Sequence, residues 1–126
     1  MAIAGTTPAI DPIMRIVLVS PFPADRNALE RLLSDDGHQV ASAATRSDGV
    51  ELARRERADV VLADVQVIGH DGHALLRELS DSEFHPRVIF LCPRASGTFE
   101  NDGIVCLTKP VDLAQLQRHL SVRRAA

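Results

Sequence analysis

The sequence predicts an α/β fold in which helices cover both faces of a parallel β-sheet. Three observations indicate this fold. Short apolar runs alternate with amphipathic segments along the chain, which is the pattern of repeated strand–helix units. The runs are rich in β-branched residues and lack polar alternation, as in Val60-Val61-Leu62-Ala63, which is typical of strands buried on both faces. Proline and glycine separate the elements, and right-handed crossovers then place helices on both faces of the sheet.

The strands are predicted from the apolar runs and the helices from apolar residues that repeat at helical spacing. The predicted strands cover Ile13 to Val19, Gln39 to Ala43, Asp59 to Asp64, Arg87 to Leu91 and Ile104 to Leu107. The predicted helices cover Ala24 to Asp36, Ser47 to Glu56, about His73 to Ser80, and the segment that follows Asp112.

The ends of the helices carry the expected signals. Gly37 follows the first helix, Ser47 is the predicted cap of the second, and Asp112 with Gln115 resembles a capping box for the last. Four apolar residues of the first helix fall on one stripe that we expect to face the core, namely Ala28, Leu29, Leu32 and Leu33.

The segment between the last two strands is too short for an ordinary crossover helix. Only residues 92–103 are available, and they include Pro93, Gly97 and Gly103. Because a parallel crossover needs about a dozen residues or more, we expect the fourth helix to be short or missing.

Length and composition indicate one globular domain. We expect a flexible leader over residues 1–12 and the folded domain over residues 13–123 of this 126-residue chain. A net charge of −3 and 3% aromatic residues give no nucleic-acid footprint, so we expect no direct nucleic-acid ligand. No apolar run is long enough to span a bilayer and the first residues lack a secretion signal, so we expect no membrane contact and a cytoplasmic location. Cys92 and Cys106 lie in apolar surroundings without metal-ligand spacing, which favours reduced thiols over a disulfide.

The carboxyl ends of the predicted strands define a candidate site. In an open parallel sheet the ligand site lies outside these ends, at the point where the strand order reverses. The residues placed there are Ser20 and Pro21 after the first strand, Asp64 after the third, Cys92 after the fourth and Lys109 after the fifth. The sequence therefore predicts a site at one edge of the sheet.

Asp64 and Lys109 are the chemically informative pair in this set. A carboxylate at the end of a buried strand is costly unless a cation or hydrogen-bond donors meet it, and Lys109 is the only base among the strand-end residues. The pair has a purely structural explanation as an ion pair. In a functional reading, Asp64 is a nucleophile toward a phosphoryl donor and Lys109 neutralises charge on the transferred oxygens.

A family resemblance rests on five stretches of the sequence. They are the first strand Met14-Arg15-Ile16-Val17-Leu18-Val19, the strand Asp59-Val60-Val61-Leu62-Ala63-Asp64-Val65, Asp71-Gly72, Lys109-Pro110, and Leu32-Leu33 with Gly37-His38-Gln39-Val40 around the first helix. In these stretches the chain resembles a response-regulator receiver domain of two-component signalling, over roughly Met14 to Val122. The resemblance implies a flavodoxin-like sheet of five parallel strands in the order 2-1-3-4-5. It also implies that Asp64 is the phosphoacceptor position, that Lys109 is the family's lysine, and that the Lys109-Pro110 bond is cis.

The sequence departs from the family pattern at the site. Ser20-Pro21 replaces the two adjacent acids that follow the first strand, one of which is a metal ligand in receivers. Cys92 stands at the Ser/Thr position that contacts the phosphoryl group, and Cys106 stands at the aromatic switch position. Ile68 replaces a proline in the loop after the phosphoacceptor. These changes affect metal binding, the phosphoryl contact and the output face together.

We therefore expect an atypical receiver that acts through protein interaction, independently of phosphorylation, and is not an enzyme. With only Asp64 and the Gln66 carbonyl as ligands, Mg²⁺ should bind weakly or not at all, and we expect no other cofactor. The expected partners are proteins, such as a sensor histidine kinase or an effector domain, and a homodimer stays open.

Two alternatives stay open at this point. One is a conventional response regulator that a histidine kinase phosphorylates on Asp64. The other is a small flavodoxin-like protein of a different class, in which Asp64 and Lys109 bind a ligand or Cys92 and Cys106 sense oxidants. Buried cysteines are commonly only small hydrophobes, and a disulfide requires Cα atoms within about 7 Å.

Overall fold

The computed structural model describes residues 13–64, 72–80, 84–92, 99–101 and 104–121. The strands within these ranges are β1 Arg15–Val19, β2 Gln39–Ala43, β3 Val60–Asp64, β4 Arg87–Cys92, β5 Phe99–Asn101 and β6 Ile104–Thr108. The helices are α1 Pro23–Asp35, α2 Arg46–Glu56, α3 Gly72–Leu79 and α4 Leu113–Ser121. The predicted leader, residues 1–12, lies outside the described residues, and the domain boundaries stay a prediction.

The strands form one sheet in the order β2-β1-β3-β4-β6-β5. The pairs β2–β1, β1–β3, β3–β4 and β4–β6 are parallel. With β6 counted as the fifth predicted strand, the predicted order 2-1-3-4-5 is confirmed.

The sequence did not predict β5, a three-residue strand that pairs antiparallel with β6. It joins Phe99 to Cys106 and Asn101 to Ile104 in register. Three residues are too few for a periodic signal, which explains why the pattern missed this strand. The described residues between β4 and β6 are those of β5, and the expectation of a short or missing fourth helix is confirmed.

Each face of the sheet packs against its own pair of helices. On one face, Val17, Val61 and Phe90 pack with Ala53 of α2 and with Leu75 and Leu79 of α3. On the other face, Ile16, Leu62 and Ile89 pack with Leu29 and Leu33 of α1 and with Leu116 and Leu120 of α4. The doubly wound architecture is thus confirmed, and all five residues of β3 are buried.

Helix α2 lies close to β1 because Gly49 faces Val19. A Cβ atom at Gly49 would lie 2.5 Å from Val19 Cγ2. The cap of this helix is Thr45 and not the predicted Ser47, since the Thr45 hydroxyl accepts a hydrogen bond from Asp48 N–H. For the last helix, the predicted cap is confirmed, because Asp112 Oδ1 accepts from the N–H groups of Ala114 and Gln115.

The predicted apolar stripe of α1 is wrong in part. Leu29 and Leu33 are buried, but Ala28 is exposed and Leu32 is 41% exposed. At 100° per residue Ala28 and Leu32 lie on one side of this stripe and Leu29 and Leu33 on the other, and only the side with Leu29 and Leu33 contacts the sheet. None of the helices in the described ranges is long and apolar enough to cross a membrane.

Candidate functional site

Asp64 and Lys109 meet at the carboxyl edge of the sheet, as the sequence predicts. Asp64 is the last residue of β3 and is 1% exposed. Lys109 follows β6, and its Nζ donates a hydrogen bond to Asp64 Oδ2. The strand order places β3 in the centre of the sheet. The Asp64 carboxylate is therefore surrounded by protein and needs the Lys109 ammonium as a counter-charge.

Asp25 is a second acid at this site, and the sequence analysis missed it. Lys109 Nζ also donates to Asp25 Oδ2 at 3.2 Å, and the Asp25 side chain is 40% exposed. Asp25 lies in the first turn of α1, where a carboxylate already has a simple explanation as a partner of the helix dipole. The available signal was its place in the first turn of the helix that follows β1, because that turn starts at the same edge of the sheet.

Lys109 is the only lysine of the chain, and its surroundings keep it protonated. Burial by itself would lower the pKa of Lys109. The hydrogen bonds to Asp64 and then to Asp25, with the charges of both carboxylates, outweigh burial and raise the pKa above its ordinary value of 10.5. The Lys109 ammonium also lies 4.8 Å from the centroid of the Phe22 ring, within the range of a cation–π contact.

The backbone around Lys109 fixes the origin of its side chain. Lys109 N–H donates to the Cys92 carbonyl at 2.9 Å, which links the end of β6 to the end of β4. The Lys109-Pro110 peptide bond is cis, as the family resemblance implies. The Lys109 side chain, which is 24% exposed, starts from a fixed backbone and ends between two carboxylates.

The loop after β1 folds on itself and does not offer acids to the site. Ser20 is buried, and its hydroxyl accepts a hydrogen bond from Phe22 N–H at 3.1 Å. The Ser20 carbonyl accepts from Arg26 Nη1 at 2.7 Å. Pro21 is exposed and brings no oxygen ligand in its side chain. The two residues therefore lie at the predicted edge and build a turn there.

Cys92 and Cys106 form a disulfide, contrary to the prediction of two reduced thiols. Both are buried, Cys92 at the end of β4 and Cys106 within β6. The two strands are neighbours, with Phe90 opposite Cys106 and Cys92 opposite Thr108. This register brings the two Cα atoms to 6.2 Å, within the usual range for a disulfide. The sequence alone could not give this register.

The described oxygen ligands do not fit Mg²⁺ in their present arrangement. Mg²⁺ needs an octahedron of oxygens that includes one or two carboxylates. Asp25 and Asp64 are the acids that the described part of the chain places at this site, and the Lys109 ammonium already lies between them. Among the described residues, no group of three or more His, Cys, Asp and Glu side chains could hold a metal. Gln66, the other predicted ligand, lies outside the described residues.

Comparison with known proteins identifies curated relatives. The chain is 35% identical over 89 residues to the transcriptional regulatory protein AfsQ1 of Streptomyces coelicolor, which covers 71% of this chain and 36% of that protein. It is 41% identical over 66 residues to protein PilH of Pseudomonas aeruginosa, which covers 52% of this chain and 54% of that protein. The chain thus spans between about a third and a half of these relatives.

Solved structures share the fold over most of the chain. The receiver domain of the hybrid histidine kinase CckA superposes with a TM-score of 0.67 at 27% identity, covering 84% of this chain and 94% of that one. The signal receiver domain of a putative Luxo repressor protein from Vibrio parahaemolyticus gives a TM-score of 0.69 at 14% identity, covering 88% and 89%, and this likeness concerns the fold alone. Residues 16–121 match the family described as response regulator receiver domain, so the chain belongs to the receiver domains of two-component response regulators.

Proposed function

We propose that this receiver domain is an atypical signalling module whose state is not set by ordinary phosphorylation of Asp64. The observation that carries the proposal is that Ser20 and Pro21 bring no acid to the ion pair of Asp64 with Lys109. Receiver domains are signalling modules, and this one is proposed to act by contacting other proteins without catalysis.

The charge balance at Asp64 supports this proposal. Phosphoryl transfer to a carboxylate requires cations that neutralise the incoming phosphoryl oxygens. Here Asp64 Oδ2 already accepts from Lys109, and the ammonium is shared with Asp25. A divalent cation would have to displace Lys109 from a site with two carboxylate partners.

The other departures at the site point in the same direction. The Ser20 hydroxyl is engaged within its own turn, and Pro21 has no ligand atom in its side chain. Cys92 replaces a hydroxyl that would donate to a phosphoryl oxygen, and its sulfur is bonded to Cys106. The proposed module therefore needs no cofactor and holds Mg²⁺ weakly at most.

A conventional receiver that is phosphorylated on Asp64 is the second candidate, and Asp25 favours it. If Lys109 moved onto an incoming phosphoryl group, Asp25 and Asp64 would provide two carboxylates for Mg²⁺. Of the third alternative, a small flavodoxin-like protein of another class, no observation on the described residues favours the ligand-binding form, whereas the bridge between Cys92 and Cys106 bears on the thiol form.

Labelling with a small phosphodonor tests the proposal. The full chain is incubated with acetyl phosphate and MgCl₂, quenched in acid and analysed by intact mass for an acid-stable, base-labile phosphate. We expect no gain of a phosphoryl group. Labelling that is abolished in Asp64→Asn would contradict the proposal and establish the conventional candidate. Labelling that is abolished in Asp25→Asn as well would show that the conventional candidate needs Asp25, either for Mg²⁺ or for its contact with Lys109.

The proposed partners are proteins, namely a sensor histidine kinase or an effector domain, in the cytoplasm. Family membership and the regulator names of the relatives support this class of partner. Nucleic acid and membrane are not proposed as direct ligands, because the net charge is −3 and aromatic residues are only 3% of the chain. Solution sizing with and without phosphodonor tests whether the chain forms a homodimer.

A further inference from the structure

Cys92 and Cys106 connect two strands that are already joined by a backbone ladder. Four residue pairs from Ile89–Val105 to Cys92–Thr108 hold β4 and β6 in parallel register. Phe90, Leu75 and Leu79 belong to the same buried cluster as the two cysteines. The ladder and this packing also hold the strands together, so we expect the fold to tolerate both an open and a closed bridge.

The bridge lies one hydrogen bond away from Lys109. The Cys92 carbonyl accepts from Lys109 N–H at 2.9 Å, and Cys106 precedes Lys109 by three residues on β6. A covalent link between the two cysteines therefore fixes both backbone segments from which the Lys109 side chain starts. Opening the link gives the end of β4, and with it the Cys92 carbonyl, more freedom relative to Lys109.

We propose that Cys92 and Cys106 are a redox-active dithiol that exchanges with low-molecular-weight disulfides and thiols and thereby sets the backbone position of Lys109. This inference goes beyond the proposed function, because it holds whether or not Asp64 is phosphorylated. The oxidant of the dithiol is a small disulfide, RSSR, and the reductant of the bridge is the corresponding thiol, RSH.

Oxidation of the dithiol takes two thiol–disulfide exchange steps. One protein thiolate attacks a sulfur of RSSR, which forms a mixed disulfide and releases RS⁻, and RS⁻ takes up the proton lost by the attacking thiol. The second protein thiolate attacks the protein sulfur of the mixed disulfide and releases a second RS⁻, which is protonated to RSH. The protein loses two electrons and two protons, and RSSR becomes two RSH. Reduction by a thiol reverses both steps.

Burial determines the expected rate. Both sulfurs are shielded in the folded chain, so exchange requires a local opening of the sheet edge. We therefore expect slow exchange that yields an intramolecular bridge at a rate independent of protein concentration.

A redox titration tests the dithiol. The full chain is equilibrated with graded ratios of oxidised to reduced glutathione, quenched in acid, treated with an alkylating reagent and analysed by intact mass. We expect both cysteines to become protected together as the ratio rises and both to be released by dithiothreitol. Accumulation of a stable mixed disulfide, of a covalent dimer, or of two free thiols at every ratio would overturn the proposal.

Amide hydrogen exchange tests the coupling to Lys109 on the same samples. We expect the Lys109 amide to exchange roughly tenfold faster in the reduced chain, because its acceptor on Cys92 is less constrained. The matched control is the Asp59 amide, which donates to the Arg15 carbonyl at the amino ends of the central strands, far from the bridge. Its exchange rate should not change. In Cys106→Ala the Lys109 amide should no longer respond to the glutathione ratio. Equal exchange of the Lys109 amide in both redox states would refute the coupling.

Discussion

Replacing Lys109 with Met should destabilise the fold much more than replacing its partner Asp64 with Asn. Lys109→Met keeps most of the side-chain volume but removes the ammonium, and Asp64 then remains as a buried carboxylate without that counter-charge. Asp64→Asn removes the buried charge itself, and the ammonium keeps Asp25 at 3.2 Å. The two variants thus break the same ion pair but leave different charges behind.

The structure sets the size of this difference. Removing one partner of a fully buried pair costs about 3–5 kcal/mol. Asp64 is 1% exposed, but the Lys109 side chain is 24% exposed, so water reaches the site and we expect about 2–3 kcal/mol for Lys109→Met. For Asp64→Asn we expect less than about 1 kcal/mol. A cost of this size for Lys109→Met is a large part of an ordinary stability of about 5–15 kcal/mol.

Urea unfolding followed by far-ultraviolet circular dichroism measures both variants, since the chain has no Trp or Tyr for fluorescence. The m-values should stay unchanged. The double variant with both substitutions should lie close to Asp64→Asn alone, because the stranded charge is gone. The reasoning is refuted if Asp64→Asn costs as much as Lys109→Met, or if the two costs simply add in the double variant.

Three further predictions concern the whole domain. The folded-state pKa of Lys109 is raised above 10.5, so the ammonium should stabilise the fold fully below that pH and lose this effect as the pH rises through the folded pKa. Urea midpoints measured at increasing pH should show this loss of stability. In Lys109→Met the pH-dependent loss should be absent. Gly49→Ala should destabilise by about 1–2 kcal/mol in spite of the better helix propensity, because the new methyl group would overlap Val19. The exposed Ser47→Ala in the same helix is its control and should be within about 0.5 kcal/mol of the parent in thermal unfolding, and a neutral Gly49→Ala would show that the helix can shift. Reduction of the bridge, which spans 14 positions of sequence, should cost about 3 kcal/mol and leave the chain folded; urea curves with and without reductant measure this, and no change in midpoint would contradict it.

The strands and the position of the site were predictable because they depend on local pattern and on one rule of topology. Apolar runs without alternation identify strands buried on both faces, and parallel strands end at the same edge of the sheet. Asp64 and Lys109 are 45 positions apart in the chain, yet this rule brings them together.

The parts that the sequence did not predict depend on angles and registers between elements. The place of Asp25 in the first turn of α1 indicates the edge of the sheet at which it lies, but not its contact with Lys109 across 84 positions of sequence. The bridge depends on a register that places Cys106 opposite Phe90. The exposure of Leu32 depends on how α1 is rotated against the sheet.

The contacts of Lys109 also have a consequence for the kinetics of unfolding. They join α1, β3 and the end of β6 across sequence separations of 84 and 45 residues. Contacts of this range close large loops, so we expect them to form late in folding, after the central strands have assembled. Interactions that are absent from the folding transition state mainly change the unfolding rate. Weakening them should therefore shorten the lifetime of the folded chain while the speed of folding stays nearly the same.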